Sequence, residues 1–516
     1  MTAESEVTDA VARVTCCKQK IPVRGILVVI GGILVHITLG TQLTYGNTNP
    51  YFVSYIRKHS SPSDLKYIDG IWVQACMLMG QGVTMFLGGL LEHKFGLRVS
   101  CLIGSWLMSA GVLLTYFTLK YNYITSVITY GIMFGLGCGI AYPMPVACAM
   151  KWFPNRRGLM GGLIFAGFGG GSTVFNQIIT LFLNPDNISP DLTIGEDVYF
   201  TQDEVLKRVP SMFLVLGGTY AVLQLVGIIL MVDPPPSYQE HSTQIYENVT
   251  TSESENKTPE RKKKSEVTLD VWSTSVSEDD AVPQTKNIQE NTDVRPEFES
   301  ELPVENGNDT AAKVKAVEMD VHPLKMLRSK QFYLVWLLFL FGGMGGVFMA
   351  AMYKSYGQSF IKDDQFIAIV GSCAAVCNAL GGIVWGYVAD RFGFDIAAKL
   401  LYTMFASASF TFIGSQYGLK PYFFIWVCLI LFAISGKFAI MPPVIARMYG
   451  NKYMSINYGL LYTSQILTSA ASAFMGQLLK DYLHYSGLFF LIGGMSCIGF
   501  FITFFVDARM PDGKKI

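Results

Sequence analysis

Long runs of apolar residues alternate with short polar segments along most of the chain. Each run has about 20 residues or more, the length that a helix needs to cross the ~30 Å hydrocarbon layer of a membrane. Backbone groups must be paired in lipid, so such runs form helices. The pattern predicts twelve spans, near 25–45, 70–91, 99–119, 123–149, 157–183, 211–232, 331–354, 366–389, 397–415, 421–446, 456–479 and 485–506.

A polar segment at 233–330 divides these spans into two sets of six. It is rich in Glu, Ser, Thr, Asn, Pro and Lys and has too few apolar residues to form a core, so we expect a disordered linker. The predicted fold class is an all-α membrane protein of two pseudo-symmetric six-helix bundles. Its parts are a tail at 1–24, a bundle at 25–232, the linker at 233–330, a bundle at 331–506 and a tail at 507–516.

The composition agrees with a multi-pass membrane protein and narrows the classes of function. Hydrophobic residues make up 51% of the 516 residues and charged residues only 15%, with 39 acidic and 39 basic side chains. A soluble domain has about 25% charged residues. A nucleic-acid-binding protein has a basic stripe, which this sequence lacks. The sequence shows no nucleophile–base pair and no cluster of metal ligands, so it predicts neither an enzyme nor a metal or cofactor site.

Lysine and arginine are enriched in the loops on one side of the predicted membrane. The positive-inside rule therefore places both termini and the linker in the cytoplasm. The opposite loop, 185–206, is acidic and contains the sequon at Asn187, where we expect glycosylation. We expect the plasma membrane, with an organelle membrane as the alternative. Pro235, Pro236 and Tyr238 match a WW-domain ligand, although a proline stop after the sixth span explains the same residues.

Short motifs recur in the two halves. Glu92-His93-Lys94-Phe95-Gly96 follows the second span, and Asp390-Arg391-Phe392-Gly393 follows the eighth. With their preceding glycines, Gly89 and Gly386, they resemble the cytoplasmic-loop motif of the major facilitator superfamily. The first copy departs from that motif, because His93 stands where the family usually has Asp and Glu92 is left to supply the carboxylate. The resemblance implies conformational latches, for which the candidate residues are Glu92, Arg98, Asp390 and Arg391.

The segment 151–171 begins Lys151-Trp152-Phe153-Pro154-Asn155-Arg156-Arg157-Gly158 and continues into a glycine-rich span. With the segments 381–386 and 457–463, it resembles the oxalate–formate antiporter and monocarboxylate transporter branch. That resemblance implies a secondary transporter that works by alternating access, with its site between the bundles. Members that carry oxalate have an arginine in the eighth span and a lysine in the eleventh. Those positions are Gly382 and Gln465 here, which argues against the dianion oxalate.

Charges at membrane depth are costly and mark functional sites. Lys437 lies in the middle of the tenth span and His36 in the middle of the first, whereas we expect Lys354 to reach the interface. No Asp or Glu falls inside a predicted span. One buried cation without a buried acid favours a small organic monoanion, and His36 is a candidate for a coupling proton. Other candidate substrate-binding residues, chosen by position, are Tyr45, Asn47, Tyr142, Asn176, Tyr353, Asn378 and Gln465.

Other interpretations of these residues stay open. Lys437 is alternatively a structural lysine bonded to carbonyl groups, and His36 a neutral histidine bonded between helices. Gln465 and Asn176 are equally suited to hydrogen bonds between helices. For the whole protein, the alternatives are a carrier of a neutral or larger solute and a transporter-like sensor that acts through the linker. Symport with H⁺ and exchange are both compatible with the sequence.

Overall fold

The described part of the chain consists almost entirely of long apolar helices. A computed structural model describes residues 23–153, 157–235, 321–417, 419–450 and 453–509. The chain before residue 23 and after residue 509, and most of the predicted linker with Pro236 and Tyr238, lie outside the described residues. All the long helices belong to one compact unit, and the second unit, Pro235–Glu318, is almost wholly outside the description.

The first half contains six helices and one hairpin. The helices are α1 Val23–His59, α2 Ile71–Phe95, α3 Leu97–Thr118, α4 Tyr123–Trp152, α5 Arg157–Leu183 and α6 Val209–Leu230. α1 passes through a 3₁₀ turn at Gly40–Thr44, and α4 through a π-helical turn at Val127–Met133. Between α5 and α6, strands β1 Leu192–Ile194 and β2 Asp197–Tyr199 pair antiparallel, with Leu192 opposite Tyr199.

The second half repeats the six-helix pattern. Its helices are α7 Lys330–Gln358, α8 Asp364–Phe392, α9 Phe394–Thr411, α10 Leu419–Tyr449, α11 at 454–483 and α12 at 485–503. α7 is broken at Gly342 and Gly343, and α11 is interrupted at Thr463. α11 and α12 meet at His484, which has a φ of 55°.

The predicted twelve-span, all-α architecture is confirmed. Among the described residues, ten stretches are long and apolar enough to cross a membrane, and one of them, Ile456–Thr503, covers most of α11 and all of α12. α5 is a further apolar helix of 27 residues that matches the predicted span. α1 extends to His59, well beyond its predicted end at residue 45, because its polar residues pack against other helices instead of forming a loop.

The segment 321–330, predicted as the end of a disordered linker, differs from that prediction. The Val321 amide donates to the Tyr449 carbonyl over 2.9 Å. A short helix follows at Pro323–Met326, with both of its terminal residues buried. The chain is therefore attached to the end of α10 before α7 begins.

The alternating helices give the bundle two ends. We call the end with the β1–β2 hairpin and the loops after α1, α3, α7, α9 and α11 the hairpin end, and the opposite end the linker end. At the linker end, Gly96 joins α2 to α3 with φ 78° and Gly393 joins α8 to α9 with φ 88°. Glycine adopts this backbone conformation without strain. The same turn in both halves agrees with the internal repeat seen in the sequence.

The two halves contact each other through α1 with α7, α2 with α11 and α5 with α8. Glycines allow the close approach. A Cβ atom on Gly46 of α1 would lie 2.3 Å from the Ala350 carbonyl oxygen of α7. One on Gly169 of α5 would lie 2.6 Å from the Ala379 Cβ of α8. These contacts bring the candidate site residues of both halves to the centre of the bundle.

Candidate functional site

Lys437 in α10 is buried without a counter-ion. It is 3% exposed. Its Nζ donates to Oε1 of Gln465 on α11 over 3.3 Å and lies 4.4 Å from the centre of the Phe438 ring. No carboxylate of the described residues forms an ion pair with it, and a ring face and an amide oxygen compensate a buried charge only in part. The structure thus brings together two of the predicted site residues, Lys437 and Gln465.

The break in α7 lies beside this lysine. A Cβ on Gly343 would lie 3.0 Å from Lys437 Nζ, so the glycine lets the backbone of α7 approach the cation. Two backbone carbonyls just before the break accept hydrogen bonds from α11. Gln465 Nε2 donates to Phe339 over 3.3 Å, and Thr468 Oγ1 donates to Leu340 over 2.9 Å. Among the described hydrogen bonds, Lys437 Nζ donates to the Gln465 side chain and not to a backbone carbonyl.

A small cavity lies between α7, α8 and α10. Its volume is about 30 Å³, which is room for about one water molecule, and Tyr353, Gly371 and Asn378 are among its lining residues. The Tyr353 hydroxyl and Asn176 Oδ1 are buried without a hydrogen-bond partner in the described chain. Both side chains approach Gly371, where a Cβ would lie 2.1 Å from the hydroxyl and 3.2 Å from Asn176 Nδ2. Asn176 and Tyr353 therefore meet at Gly371, whereas Asn378 lines the same cavity and donates to the Leu431 carbonyl over 3.0 Å.

His36 and Tyr142, both predicted site residues, form an aromatic cluster in the first half. Their ring centroids lie 5.2 Å apart, and Phe165 of α5 lies 5.7 Å from His36. His36 Nδ1 is 3.3 Å from the Gly32 carbonyl, and Nε2 has no partner among the described groups. The imidazole is therefore buried with one free nitrogen.

Two of the three predicted site residues of α1, Tyr45 and Asn47, have structural partners. The Tyr45 hydroxyl donates to the Gly70 carbonyl over 2.7 Å and fastens α1 to the start of α2. Asn47 Nδ2 donates to the Asn176 carbonyl over 3.1 Å, and its Oδ1 accepts from Lys354 Nζ over 2.9 Å. Tyr45 thus lies apart from the other candidates, whereas Asn47 joins a polar cluster that the sequence analysis missed.

That cluster corrects two expectations. Lys354 does not reach the interface: it is fully buried, and its Nζ lies 2.7 Å from Asp364 Oδ1. Asp364 is a buried acid in the first turn of α8, contrary to the expectation that no acid lies inside a span. The signal was the pair Asp363-Asp364, because acidic residues favour a helix N-terminus. Asp363 caps α8 by accepting from the Phe366 amide over 3.0 Å.

A second buried ion pair joins the hairpin to α11. Lys480 Nζ lies 2.6 Å from Asp197 Oδ1, and both side chains are less than a tenth exposed. The described chain thus has three buried lysines, and two of them are neutralised by an aspartate. Lys437 is the exception.

The candidate latch residues lie at the linker end and contact their own halves. Glu92 Oε1 is 3.4 Å from Lys151 Nζ, which also lies 3.1 Å from Asp233. Arg98 donates to the carbonyls of Ile229, over 3.3 Å, and Met231. In the second half Asp390 is 2.7 Å from Arg447. Arg391 is exposed in the last turn of α8.

The predicted glycosylation site is engaged in the structure. Asn187 Nδ2 donates to Asp363 over 3.2 Å, and Oδ1 accepts from the Gln365 amide over 2.9 Å. A glycan on Nδ2 would disturb this capping contact at the start of α8. Glycosylation of Asn187 stays a prediction, and it would require these contacts to rearrange.

Comparison with known proteins gives a consistent result. The model of the Major Facilitator Superfamily matches residues 34–361 and 334–516. Apicoplast pyruvate carrier 1 of Toxoplasma gondii is 26% identical over 537 residues, covering 95% of this chain and 90% of that protein. The oxalate:formate antiporter of Oxalobacter formigenes is 21% identical, with 82% and 78% covered. Human monocarboxylate transporter 14 is 28% identical over a shorter stretch of 157 residues, 30% of this chain and 28% of that one.

The fold is also similar to solved structures. The xylose transporter XylE from E. coli, in a partially occluded inward open conformation, superimposes with a TM-score of 0.59 at 14% identity. That comparison covers 95% of this chain and 99% of the transporter chain. At this identity the likeness supports the arrangement of helices and nothing about the substrate.

Proposed function

Because the chain belongs to the major facilitator superfamily, we propose that this transporter carries a small monocarboxylate anion by alternating access, with Lys437 as the group that holds the carboxylate. One observation carries the proposal: among the described residues, Lys437 is a buried lysine with no acid beside it, whereas Lys354 and Lys480 each pair with an aspartate. A buried charge without a partner is costly. A carboxylate ligand would supply the missing charge and gain a strong hydrogen bond.

The surroundings of Lys437 favour one carboxylate over two. The described residues around its Nζ offer the amide of Gln465 and the faces of two aromatic rings, with no second cation. A small apolar tail suits the aromatic surroundings. A pyruvate carrier is among the relatives aligned over nearly the whole chain, so pyruvate is the first substrate to test.

The remaining candidates complete the proposal. Tyr353 and Asn378 line the small cavity, and Asn176 adjoins Tyr353 at Gly371, so these three side chains would contact the substrate when the cavity widens. His36, with its free Nε2, is the candidate for proton uptake if transport is coupled to H⁺. Glu92, Arg98, Asp390 and Arg391 would act as latches at the linker end. Because positive charge favours the cytoplasmic side, we place the linker end and both termini there.

Uptake into proteoliposomes tests the proposal. Purified protein is reconstituted and supplied with radiolabelled pyruvate, lactate or formate, with and without a pH gradient. We expect saturable uptake, and we expect Lys437→Met to reduce it about tenfold or more because the variant loses the charge that binds the carboxylate. Lys437→Arg keeps the charge and is expected to retain part of the uptake.

The matched control is Lys399→Met. Lys399 forms an ion pair with Asp395 over 2.7 Å on the surface of α9, far along the chain from the proposed site. The Lys399→Met variant should transport like the unmodified protein. Uptake that survives in Lys437→Met would overturn the role of Lys437.

Two further measurements address the alternative functions. Thermal stabilisation by uncharged compounds alone would favour a carrier of neutral solutes. Full transport by a protein that lacks residues 236–320 would count against a sensor that acts through the linker.

A further inference from the structure

The hairpin end is closed by two buried carboxylates, one from each half of the protein. Asp197 begins β2 in the first half, and Asp364 begins α8 in the second. Both are 3% exposed or less. Each accepts hydrogen bonds from the opposite half, so the two contacts are reciprocal.

Asp364 joins the halves through its two oxygens. Oδ1 is held by its own half, by Lys354 Nζ at 2.7 Å and Gln358 Nε2 at 3.1 Å. Oδ2 is held by the first half, by the Tyr51 hydroxyl of α1 and by Asn184 Nδ2 at 3.1 Å. Separating the halves at this end would therefore remove both donors from one oxygen and leave those of the other in place.

Asp197 is arranged in the same way from the other side. Its Oδ1 accepts from Lys480 Nζ over 2.6 Å and from the Tyr485 hydroxyl over 2.9 Å, both in the second half. Its Oδ2 accepts from the hydroxyl of Tyr199 in the same hairpin over 3.1 Å. The hairpin thus carries a charge of the first half into a buried position between α11 and α12.

The residue after the hairpin connects the two contacts. The Phe200 ring stacks on Tyr51 at 4.9 Å, and the Phe200 amide donates to the Ser54 hydroxyl over 3.1 Å. Tyr51 in turn donates to Asp364. When the hairpin is in this position, Phe200 therefore covers Tyr51, the residue that donates to Asp364.

We propose that Asp197 and Asp364 are positioning residues that set how often the transporter opens at the hairpin end. The inference rests on the proposed function only in that a transporter must alternate between two openings. In the closed form each aspartate neutralises a buried lysine, and opening returns both groups to water. Removing one aspartate leaves a lysine charge buried without a counter-charge in the closed form only. The closed form is therefore destabilised relative to the open form.

The direction in which a double substitution shifts the balance of open and closed forms distinguishes this role from a general loss of structure. Asp197→Asn leaves Lys480 buried without a counter-charge and should favour opening. Adding Lys480→Met removes that charge as well, and replacing both members of a buried pair by uncharged groups is close to neutral. The double variant is therefore expected to close again, which a merely damaged protein would not do.

The bundle supplies a matched control at the same end. Lys66 of the first half and Asp481 of the second form an ion pair at 2.6 Å, with side chains 49% and 62% exposed. Water solvates this pair in both conformations, so its loss changes the balance little. Asp481→Asn therefore removes an ion pair between the halves without leaving a buried charge.

The experiment measures the opening directly by pulsed electron paramagnetic resonance. Spin labels are attached to cysteines at Tyr121 and Tyr417, which are exposed at the hairpin end of opposite halves, in full-length protein without its native cysteines in lipid nanodiscs. We expect Asp197→Asn to raise the ratio of long to short distances about tenfold or more. Asp481→Asn should change it less than about twofold, and Asp197→Asn with Lys480→Met should restore the original ratio.

Two results would overturn the inference: a shift in Asp197→Asn no larger than in Asp481→Asn, or a double variant that stays open. If Asp197→Asn does not fold, Asp364→Asn and Asp364→Asn with Lys354→Met give the same comparison. No substrate is used, so a failure to transport pyruvate would overturn the proposed function and leave this measurement unaffected.

Discussion

Gln465 Oε1 lies 3.3 Å from Lys437 Nζ, and its amide nitrogen is fixed on the Phe339 carbonyl. The glutamine therefore presents an oxygen to the lysine and cannot turn without losing its bond to α7. It stands where oxalate-carrying members of the family have a lysine. A lysine at this position would place a second cation close to Lys437, and the two charges would repel each other.

Gln465→Glu tests whether the free charge of Lys437 is what binds the substrate. A carboxylate at this position would form a buried ion pair with Lys437 and compete with the substrate. We expect a folded protein with unchanged or higher thermal stability whose uptake of monocarboxylate falls about tenfold or more. Gln465→Met, which supplies no charge, should lower uptake less. Equal uptake by the glutamate variant and the unmodified protein would contradict the proposed site.

Gly371→Ala tests the convergence of α5, α7 and α8. The new methyl group would lie 2.1 Å from the Tyr353 hydroxyl and 3.2 Å from Asn176 Nδ2, so the buried Tyr353 side chain or its helix must shift. Overpacking of this kind costs about 1–3 kcal/mol of unfolding free energy. Gly382→Ala on the same helix is the control, because nothing lies within 4 Å of its Cβ position. In detergent, Gly371→Ala should therefore unfold at a lower temperature than Gly382→Ala. Equal melting temperatures would show that the side chains around Gly371 can make room for a methyl group without loss of stability.

The sequence was sufficient to predict the helices and the burial of Lys437. Apolar runs define spans because the membrane requires paired backbone groups. A lysine about nine residues or more from either end of such a run, as Lys437 is in the run 421–446, is too deep to reach the interface and is therefore buried. Both predictions are independent of which helices are neighbours in the fold.

Burial of charges near helix ends was beyond sequence reasoning. Lys354 and Asp364 lie where an apolar run fades into a loop, a place that favours solvent exposure on average. Their burial depends on Tyr51 and Asn184, which lie far away in the chain and approach only in the folded protein. The same holds for Asp197, whose position between α11 and α12 follows from the hairpin and not from its local sequence.

Asp390→Asn tests the latch at the linker end. The pair with Arg447 joins α8 to α10 at 2.7 Å, and its side chains are largely exposed, so the unfolding free energy should change by less than about 1 kcal/mol. Since the proposed latch holds α8 against α10, its loss should nevertheless slow transport several-fold. Asp395→Asn removes a pair of the same length within α9 and should affect neither property. If both variants transport alike, Asp390 is a surface charge and not a latch.

Asp363 should make the junction of α7 and α8 sensitive to acid. The amine of Lys420 lies 2.6 Å from the carboxylate and lowers the pKa of Asp363 below its usual range. A carboxylate with a lowered folded-state pKa adds stability above its unfolded pKa and loses it as the pH falls through the folded one. The loss therefore occurs below about pH 4.

Asp363→Asn keeps a good N-cap for α8 but carries no charge. Melting temperatures measured from pH 6 to pH 3 should fall more steeply for the unmodified protein than for this variant, by a small amount because the pair is partly exposed. Parallel curves would show that Lys420 gains nothing from the charge of Asp363.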